Sequence, residues 1–230
     1  MPMTSHIRRR RRGLAVLACA IAAGLAGCSS DSNTTWPQIV EAAQLAWSKD
    51  SGITLQQAAA VPYASMGIRI GDEPERMLVL ASQTQDSQLW TSASRIAIIT
   101  ENGRILRSAG FGHGLSAVVF DHGDPLIQAE HGDRSVRRTL RFADFQDLNR
   151  YSVPLTCTIK PSGDENIVIL GKNIRAHRVD EHCDSEALDW SFDNVFWLSD
   201  TPGLVWRSIQ NLHPKLAPVE IEILRPPSLR

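Results

Sequence analysis

The stretch that decides the fold is RIAIITENGRILRS, residues 95–108. A mainly apolar run over 95–100 leads into Asn102-Gly103, and a second run over 105–108 follows at once. Asn and Gly tolerate the positive φ values that a two-residue hairpin turn requires. The stretch therefore predicts an antiparallel β-hairpin.

Similar short runs, separated by turn residues, continue outward from this hairpin. About ten strand segments are predicted, over residues 63–70, 76–82, 89–90, 95–100, 105–108, 136–142, 151–160, 166–179, 189–199, 204–210 and 219–224. Turns are predicted at 161–164 and at 200–203, both of which contain Pro and Gly. Because strands and helices do not alternate after residue 62, the pattern favours an all-β, mainly antiparallel sandwich or barrel over a parallel sheet.

One or two short helices are predicted before the strands. The first begins after Thr34 or Thr35, either of which can cap it, and ends before Gly52. The second covers residues 55–60 and stops before a proline.

The amino terminus has the pattern of a secretory signal. Residues 8–12 are all Arg, and residues 13–27 carry no charge and are mostly apolar. As a helix this apolar run is about 22 Å long, which is short for a bilayer core of about 30 Å. Leu25-Ala26-Gly27-Cys28 resembles the bacterial lipobox, which implies cleavage before Cys28 and lipid on its sulfur and amino group. Ser29, by resemblance to enterobacterial sorting, favours the outer membrane.

These signals divide the chain into a cleaved signal peptide (1–27), a lipidated tether (28–35) and one β-rich domain facing the periplasm (36–230). Loss of the five signal arginines from the 24 basic residues leaves 19 against 25 acidic ones, a formal charge of −6. This balance argues against nucleic acid as a partner.

Two cysteines remain in the mature chain besides the lipidated one. An oxidising periplasm favours a disulfide between Cys157 and Cys183. Such a bond contributes about 3.5 kcal/mol in the chain-entropy model. The alternative is two free, buried thiols.

Histidines do not indicate a metal site in the sequence. His113, His122 and His131 are nine residues apart and each precedes a glycine, whereas compact zinc signatures place ligands two to five residues apart. The glycine-rich loop 110–114 lacks the Lys and Ser/Thr of a phosphate-binding loop. The sequence therefore predicts no metal and no cofactor.

Aromatic and acidic residues give two competing interpretations for the carboxy-terminal half. Trp197 and Trp206 belong to an aromatic-rich region and can form a platform for sugar stacking, or they can fill the core. Four acids offer candidate carboxylate pairs for a periplasmic glycan-processing enzyme. They are Asp144, Asp147, Asp189 and Asp193.

Several segments together resemble the YjbF/GfcB lipoproteins. They are Pro62-Tyr63-Ala64-Ser65-Met66, Ile68-Arg69-Ile70-Gly71, Thr100-Glu101-Asn102-Gly103-Arg104-Ile105, Asn194-Val195-Phe196-Trp197, Gly203-Leu204-Val205-Trp206-Arg207-Ser208-Ile209-Gln210 and Pro214. The resemblance covers residues 36–226 and implies an all-β accessory lipoprotein for capsule or exopolysaccharide secretion, without catalytic residues. It implies membrane attachment through lipid, with polysaccharide and secretion-complex proteins as partners. A purely structural envelope protein is the remaining alternative.

Overall fold

A computed structural model of the chain describes residues 52–85, 87–130 and 135–228. Within these residues there are two short helices and twelve strands. In chain order they are α1 (Leu55–Ala60), β1 (Ser65–Ile70), β2 (Arg76–Gln83), β3 (Gln88–Thr91), β4 (Ala97–Glu101), β5 (Arg104–Ala109), β6 (Ala117–Phe120), α2 (Leu126–Glu130), β7 (Arg137–Phe145), β8 (Arg150–Ile169), β9 (Lys172–Ser185), β10 (Trp190–Leu198), β11 (Val205–Gln210) and β12 (Val219–Arg225).

All twelve strands belong to one sheet, in the order β5-β4-β3-β2-β1-β12-β11-β10-β9-β8-β7-β6. Every pair of neighbouring strands is antiparallel, and β1 pairs with β12 to join the first five strands to the last seven. The two strands at the ends of this order, β5 and β6, follow each other in the chain, so the sheet curls into a nearly closed barrel. The all-β prediction is confirmed, in its barrel form.

The hairpin predicted at Asn102-Gly103 is confirmed. Glu101 pairs with Arg104, and the two turn residues have φ values of 46° and 76°. Both values lie in the left-handed region that a type I′ turn requires.

The turn predicted at 161–164 is wrong. Strand β8 continues through this segment with a bulge between Pro161 and Gly163, whose φ is 105°. The chain reverses instead at Leu170 and Gly171, which have φ values of 49° and 76°. Proline lacks the N–H that a ladder needs and glycine accepts positive φ, and a bulge can absorb both features without reversing the strand.

Alternate residues of the strands point into the barrel and form its main core. This core includes Met66, Ile68, Leu78, Trp90, Ile98, Phe145, Leu155, Phe192 and Ile221. At one end of the core Leu126, from the unpredicted helix α2, packs on Ile159, Val179 and Phe196. The strand alternation inferred from sequence therefore reflects an interior filled by side chains.

Helix α1 is the second of the two predicted helices. A capping box with Thr54 and Gln57 starts it, and its buried residue Ala58 packs against Met77 and Val79 of β2. The first predicted helix lies outside the described residues. Neither helix in the described part is long and apolar enough to span a membrane.

Gly103 and Gly171 allow a matched test of the barrel. Both have a φ of 76°, but a Cβ on Gly103 would lie 2.4 Å from Val205 Cβ, whereas a Cβ on Gly171 has no neighbour within 4 Å. Gly171→Ala should lower the free energy of unfolding by about 1 kcal/mol from backbone strain alone. Gly103→Ala should cost about 1–3 kcal/mol more from overpacking. Urea unfolding measures both, and equal losses would show that β11 does not press on the β4–β5 turn.

Candidate functional site

The residue predicted to carry lipid, Cys28, lies outside the described residues, so lipidation stays a prediction. The other two cysteines lie opposite each other, Cys157 in β8 and Cys183 in β9. Their sulfur atoms are 2.10 Å apart, as in a disulfide, and both residues are fully buried in the barrel. Their oxidation in the periplasm stays a prediction.

Four charged side chains meet inside the barrel and form what we call the interior charge cluster. They are Arg104 of β5, Asp124 between β6 and α2, Arg141 of β7 and Glu181 of β9. Arg104, Arg141 and Glu181 are at most 5% exposed, and the side chain of Asp124 is 10% exposed. The cluster holds two positive and two negative charges, so it is neutral as a whole.

Hydrogen bonds saturate the carboxylate at the centre of this cluster. Arg104 donates through Nη1 and Nη2 to the two oxygens of Glu181, each at 2.9 Å. Arg141 Nη1 donates to the same oxygens at 3.1 and 3.2 Å, and Asn194 Nδ2 donates at 2.6 Å. Burial opposes the ionised form of Glu181, but the charges of the two arginines outweigh it and lower the pKa of Glu181 to about 2.

The cluster also joins the two edges of the sheet. Arg104 lies at the start of β5 and donates from Nη2 to Asp124 Oδ1, 3.1 Å away, just beyond β6. The guanidinium carbon of Arg104 lies 5.3 Å from the ring centre of Phe120, at the end of β6. Burial opposes the charge on Arg104, but Asp124 and Glu181 raise its pKa. These contacts hold β5 to β6, where the ladder of the sheet is interrupted.

The interior leaves little space around this cluster. A cavity of about 20 Å³ is lined by Arg104, Arg141, Trp190, Asn194 and Gln210, among others. This volume holds about one water molecule. A sugar therefore has no room in this interior cavity.

Of the two rings of the predicted sugar platform, Trp197 lies on the outer face of β10, and Trp206 of β11 contacts both the main core and the outer apolar cluster. Trp197 is only 8% exposed, because it packs against Ile167, Ile169 and Ala176. These residues belong to the tip of the β8–β9 hairpin, residues 163–176, which we call the arm. Trp206 is half-buried at the edge of the same apolar cluster.

Polar contacts fasten the arm over Trp197. The indole Nε1 donates to Glu165 Oε2 at 2.7 Å, and Arg207 Nη2 donates to the carbonyl of Val168 at 2.9 Å. The bond from Trp197, followed by one from Arg178, lowers the pKa of Glu165. A sugar can stack on Trp197 only if the arm moves, while Trp206 keeps some exposed surface. Glycan contact by either ring stays a prediction.

The four candidate acids are engaged separately. Asp147 Oδ2 lies 2.8 Å from His113 Nδ1, and Asp193 Oδ1 lies 2.7 Å from His182 Nδ1. Asp144 accepts the N–H of Ser152, and Asp189 ends a 3₁₀ turn in the left-handed conformation. Each acid has a local structural partner or position, and none of these contacts joins two of the four.

The interior charge cluster was not predicted from the sequence. Charged residues in short strands usually face water, so Arg104 and Glu181 were not singled out. One feature of the sequence does indicate the cluster. Glu181 lies two residues from both Val179 and Cys183, so in a strand it faces the same side as these buried residues. A carboxylate between two apolar inward positions indicates a buried ion partner.

Comparisons with known proteins agree with this fold. Residues 33–224 match the family model described as "Group 4 capsule polysaccharide lipoprotein gfcB, YjbF". The chain is 28% identical to the uncharacterized lipoprotein GfcB of Escherichia coli K12 over 202 residues, covering 88% of this chain and 94% of that protein. It is 23% identical to the uncharacterized lipoprotein YjbF of the same organism, covering 72% and 76%. The crystal structure of the hypothetical lipoprotein YmcC from E. coli K12 matches with a TM-score of 0.66 and 27% identity, covering 85% of this chain and 98% of that one.

The pKa of Glu181 predicts the acid stability of the barrel. Its folded value of about 2 lies below the ordinary 4.5, so ionised Glu181 stabilises the fold above pH 4.5 and this stabilisation is lost as pH falls towards 2. The difference corresponds to about 3 kcal/mol. Glu181→Gln should lower the free energy of unfolding at pH 7 by about 3–5 kcal/mol, since it leaves buried arginine charge uncompensated.

Urea unfolding at several pH values between 2 and 7 measures this effect. In Glu181→Gln the free energy of unfolding should depend less on pH below 4.5 than in the wild type. Glu186→Gln, at an exposed position in a neighbouring turn, should keep the pH dependence of the wild type. A Glu181→Gln profile that falls as steeply as that of the wild type would assign the acid sensitivity to other carboxylates.

Proposed function

The chain belongs to the YjbF family of group 4 capsule polysaccharide lipoproteins, and from that premise we propose that it is a membrane-tethered, non-enzymatic accessory factor for secretion or assembly of a surface polysaccharide. The match over residues 33–224 is the observation that carries this proposal. It covers nearly the whole mature chain, so the family description applies to the barrel as a unit.

The lipobox supports the location that we propose, the outer membrane with the body in the periplasm. Several acyl chains on Cys28 exceed what stable anchoring requires. The polar tether 28–35 has eight residues, which reach at most about 28 Å when extended.

The filled interior supports a mode of action through the outer surface. Because the interior cavity holds about one water, the polymer and the partner proteins meet the strands, the arm or the ends of the barrel. The arm and the half-buried Trp206 are the places at which we propose glycan contact. Proteins of the secretion complex would then bind the remaining outer face.

Dependence on lipid can be tested with two Cys→Ser variants in a deletion strain. Cys19 lies in the signal peptide and is removed with it, so Cys19→Ser is a matched control for Cys28→Ser. Secreted polysaccharide should be restored by the wild-type gene and by Cys19→Ser, but not by Cys28→Ser at equal protein level. Normal secretion of unchanged polymer by the deletion strain, under conditions that express the gene, would contradict the proposal and favour a structural envelope role.

The proposed outer-membrane location has its own test at Ser29. In enterobacterial sorting, which this signal resembles, Ser rather than Asp after the lipidated Cys favours the outer membrane. Ser29→Asp should therefore keep the lipidated protein in the inner membrane, while Ser29→Asn serves as the matched uncharged control. Separated membranes show the location, and secreted polymer shows the effect. If Ser29→Asp stays in the inner membrane and still supports full secretion, action at the outer membrane is wrong.

A further inference from the structure

Three side chains from separate segments meet near one end of the barrel. His113 comes from the loop between β5 and β6, Asp147 from the 3₁₀ turn after β7, and His213 from the segment between β11 and β12. His113 Nδ1 lies 2.8 Å from Asp147 Oδ2, and His213 Nε2 lies 3.3 Å from Asp147 Oδ1. All three ligand atoms lie within 4.8 Å of one another.

A buried nitrogen of this group lacks a normal partner. His213 is 1% exposed, and its Nε2 makes no hydrogen bond of acceptable geometry in the described part of the chain. Its ring stacks on that of His113, with ring centres 5.0 Å apart and an interplanar angle of 9°. Buried polar atoms without partners are costly, so this nitrogen is a candidate for binding a ligand.

We propose that His113 Nδ1, an oxygen of Asp147 and His213 Nε2 bind a divalent transition-metal ion of the zinc class. Imidazole and carboxylate ligands suit such ions, at distances of about 2.0–2.2 Å. Neighbouring atoms of a tetrahedral shell are then about 3.3 Å apart. The separations of 2.8 and 3.3 Å involve different oxygens of Asp147, and all three ligand atoms lie within 4.8 Å of one another. A shared ion therefore requires Asp147 to shift and the two nearly parallel imidazole rings to turn towards it.

Binding at His213 requires its ring proton to change position. The Lys215 N–H donates to His213 Nδ1 at 3.0 Å, so the ring proton of His213 is on Nε2 before binding. This proton moves to Nδ1 when Nε2 takes the metal, and the Lys215 amide loses its acceptor. His113 Nδ1, on a side chain that is 42% exposed, exchanges its contact with Asp147 for the metal. Metal binding is therefore coupled to a change in the turn 213–215.

The fourth coordination position faces solvent. A hollow of about 400 Å³ is lined by His113, Asp147 and the loop 108–116. Sites with three protein ligands and an open position accept water or an exogenous ligand. This site does not depend on the proposed function.

Calorimetry with zinc chloride tests the site, using the mature lipoprotein in detergent after removal of metal with a chelator. One zinc ion per chain should bind, and His113→Ala and Asp147→Asn should each weaken binding by at least about tenfold. His182→Ala is the matched control, because His182 is also exposed between two carboxylates, Asp184 and Asp193. It should bind like the wild type, and circular dichroism should show that all variants are folded.

A second readout follows the turn and avoids truncation of the buried His213. The backbone amide of Lys215 should shift in the NMR spectrum on addition of zinc, in the wild type but not in His113→Ala. Absence of stoichiometric zinc binding would overturn the proposal. Equal affinity of His113→Ala and the wild type would also overturn it, since the ion would then be held elsewhere.

Discussion

The fold depends on closing a sheet whose backbone ladder is interrupted between β5 and β6. The interior charge cluster closes it, because Arg104 of β5 binds Asp124 beyond β6 and Glu181 across the barrel. Removing each of these charges from water costs several kcal/mol. The cluster has no net charge, and the two arginines donate several hydrogen bonds to the carboxylate of Glu181. Together these interactions offset that cost. A hydrophobic contact would fill the same space but would not fix which edges meet.

Closure of this kind constrains how the protein can work. Apolar side chains and the interior charge cluster occupy the interior of the described residues, and the cavity of about 20 Å³ beside the cluster has no room for a sugar. On the outer face the arm covers Trp197, and at one end three loops bring His113, Asp147 and His213 together. The loop that carries His113 joins β5 to β6, so its position depends on how these two strands meet.

Local sequence signals predicted the local structure well. The Asn102-Gly103 turn and most of the alternating strands were correct, because turn chemistry and side-chain alternation act over a few residues. The predicted strand 166–179 was wrong, since the chain reverses at 170–171. The turn predicted at Pro161 was wrong, because proline and glycine occur in bulges as well as in turns. The pairing of β8 with β9 decides between the two, and it involves residues that are distant in the sequence. His113 and His213 are 100 positions apart, so their approach depends on strand order, which one sequence does not reveal.

Amide hydrogen exchange in Asp124→Asn tests the closing role of the cluster most directly. This change removes one carboxylate from the seam, by which we mean the boundary between β5 and β6, while Glu181 stays in place. We expect faster exchange in β5 (Arg104–Ala109) and β6 (Ala117–Phe120), with β1 (Ser65–Ile70) unchanged because it lies far from both strands in the sheet order. Exchange that rises equally in all three strands, or in none, would contradict the claim that the cluster holds the seam.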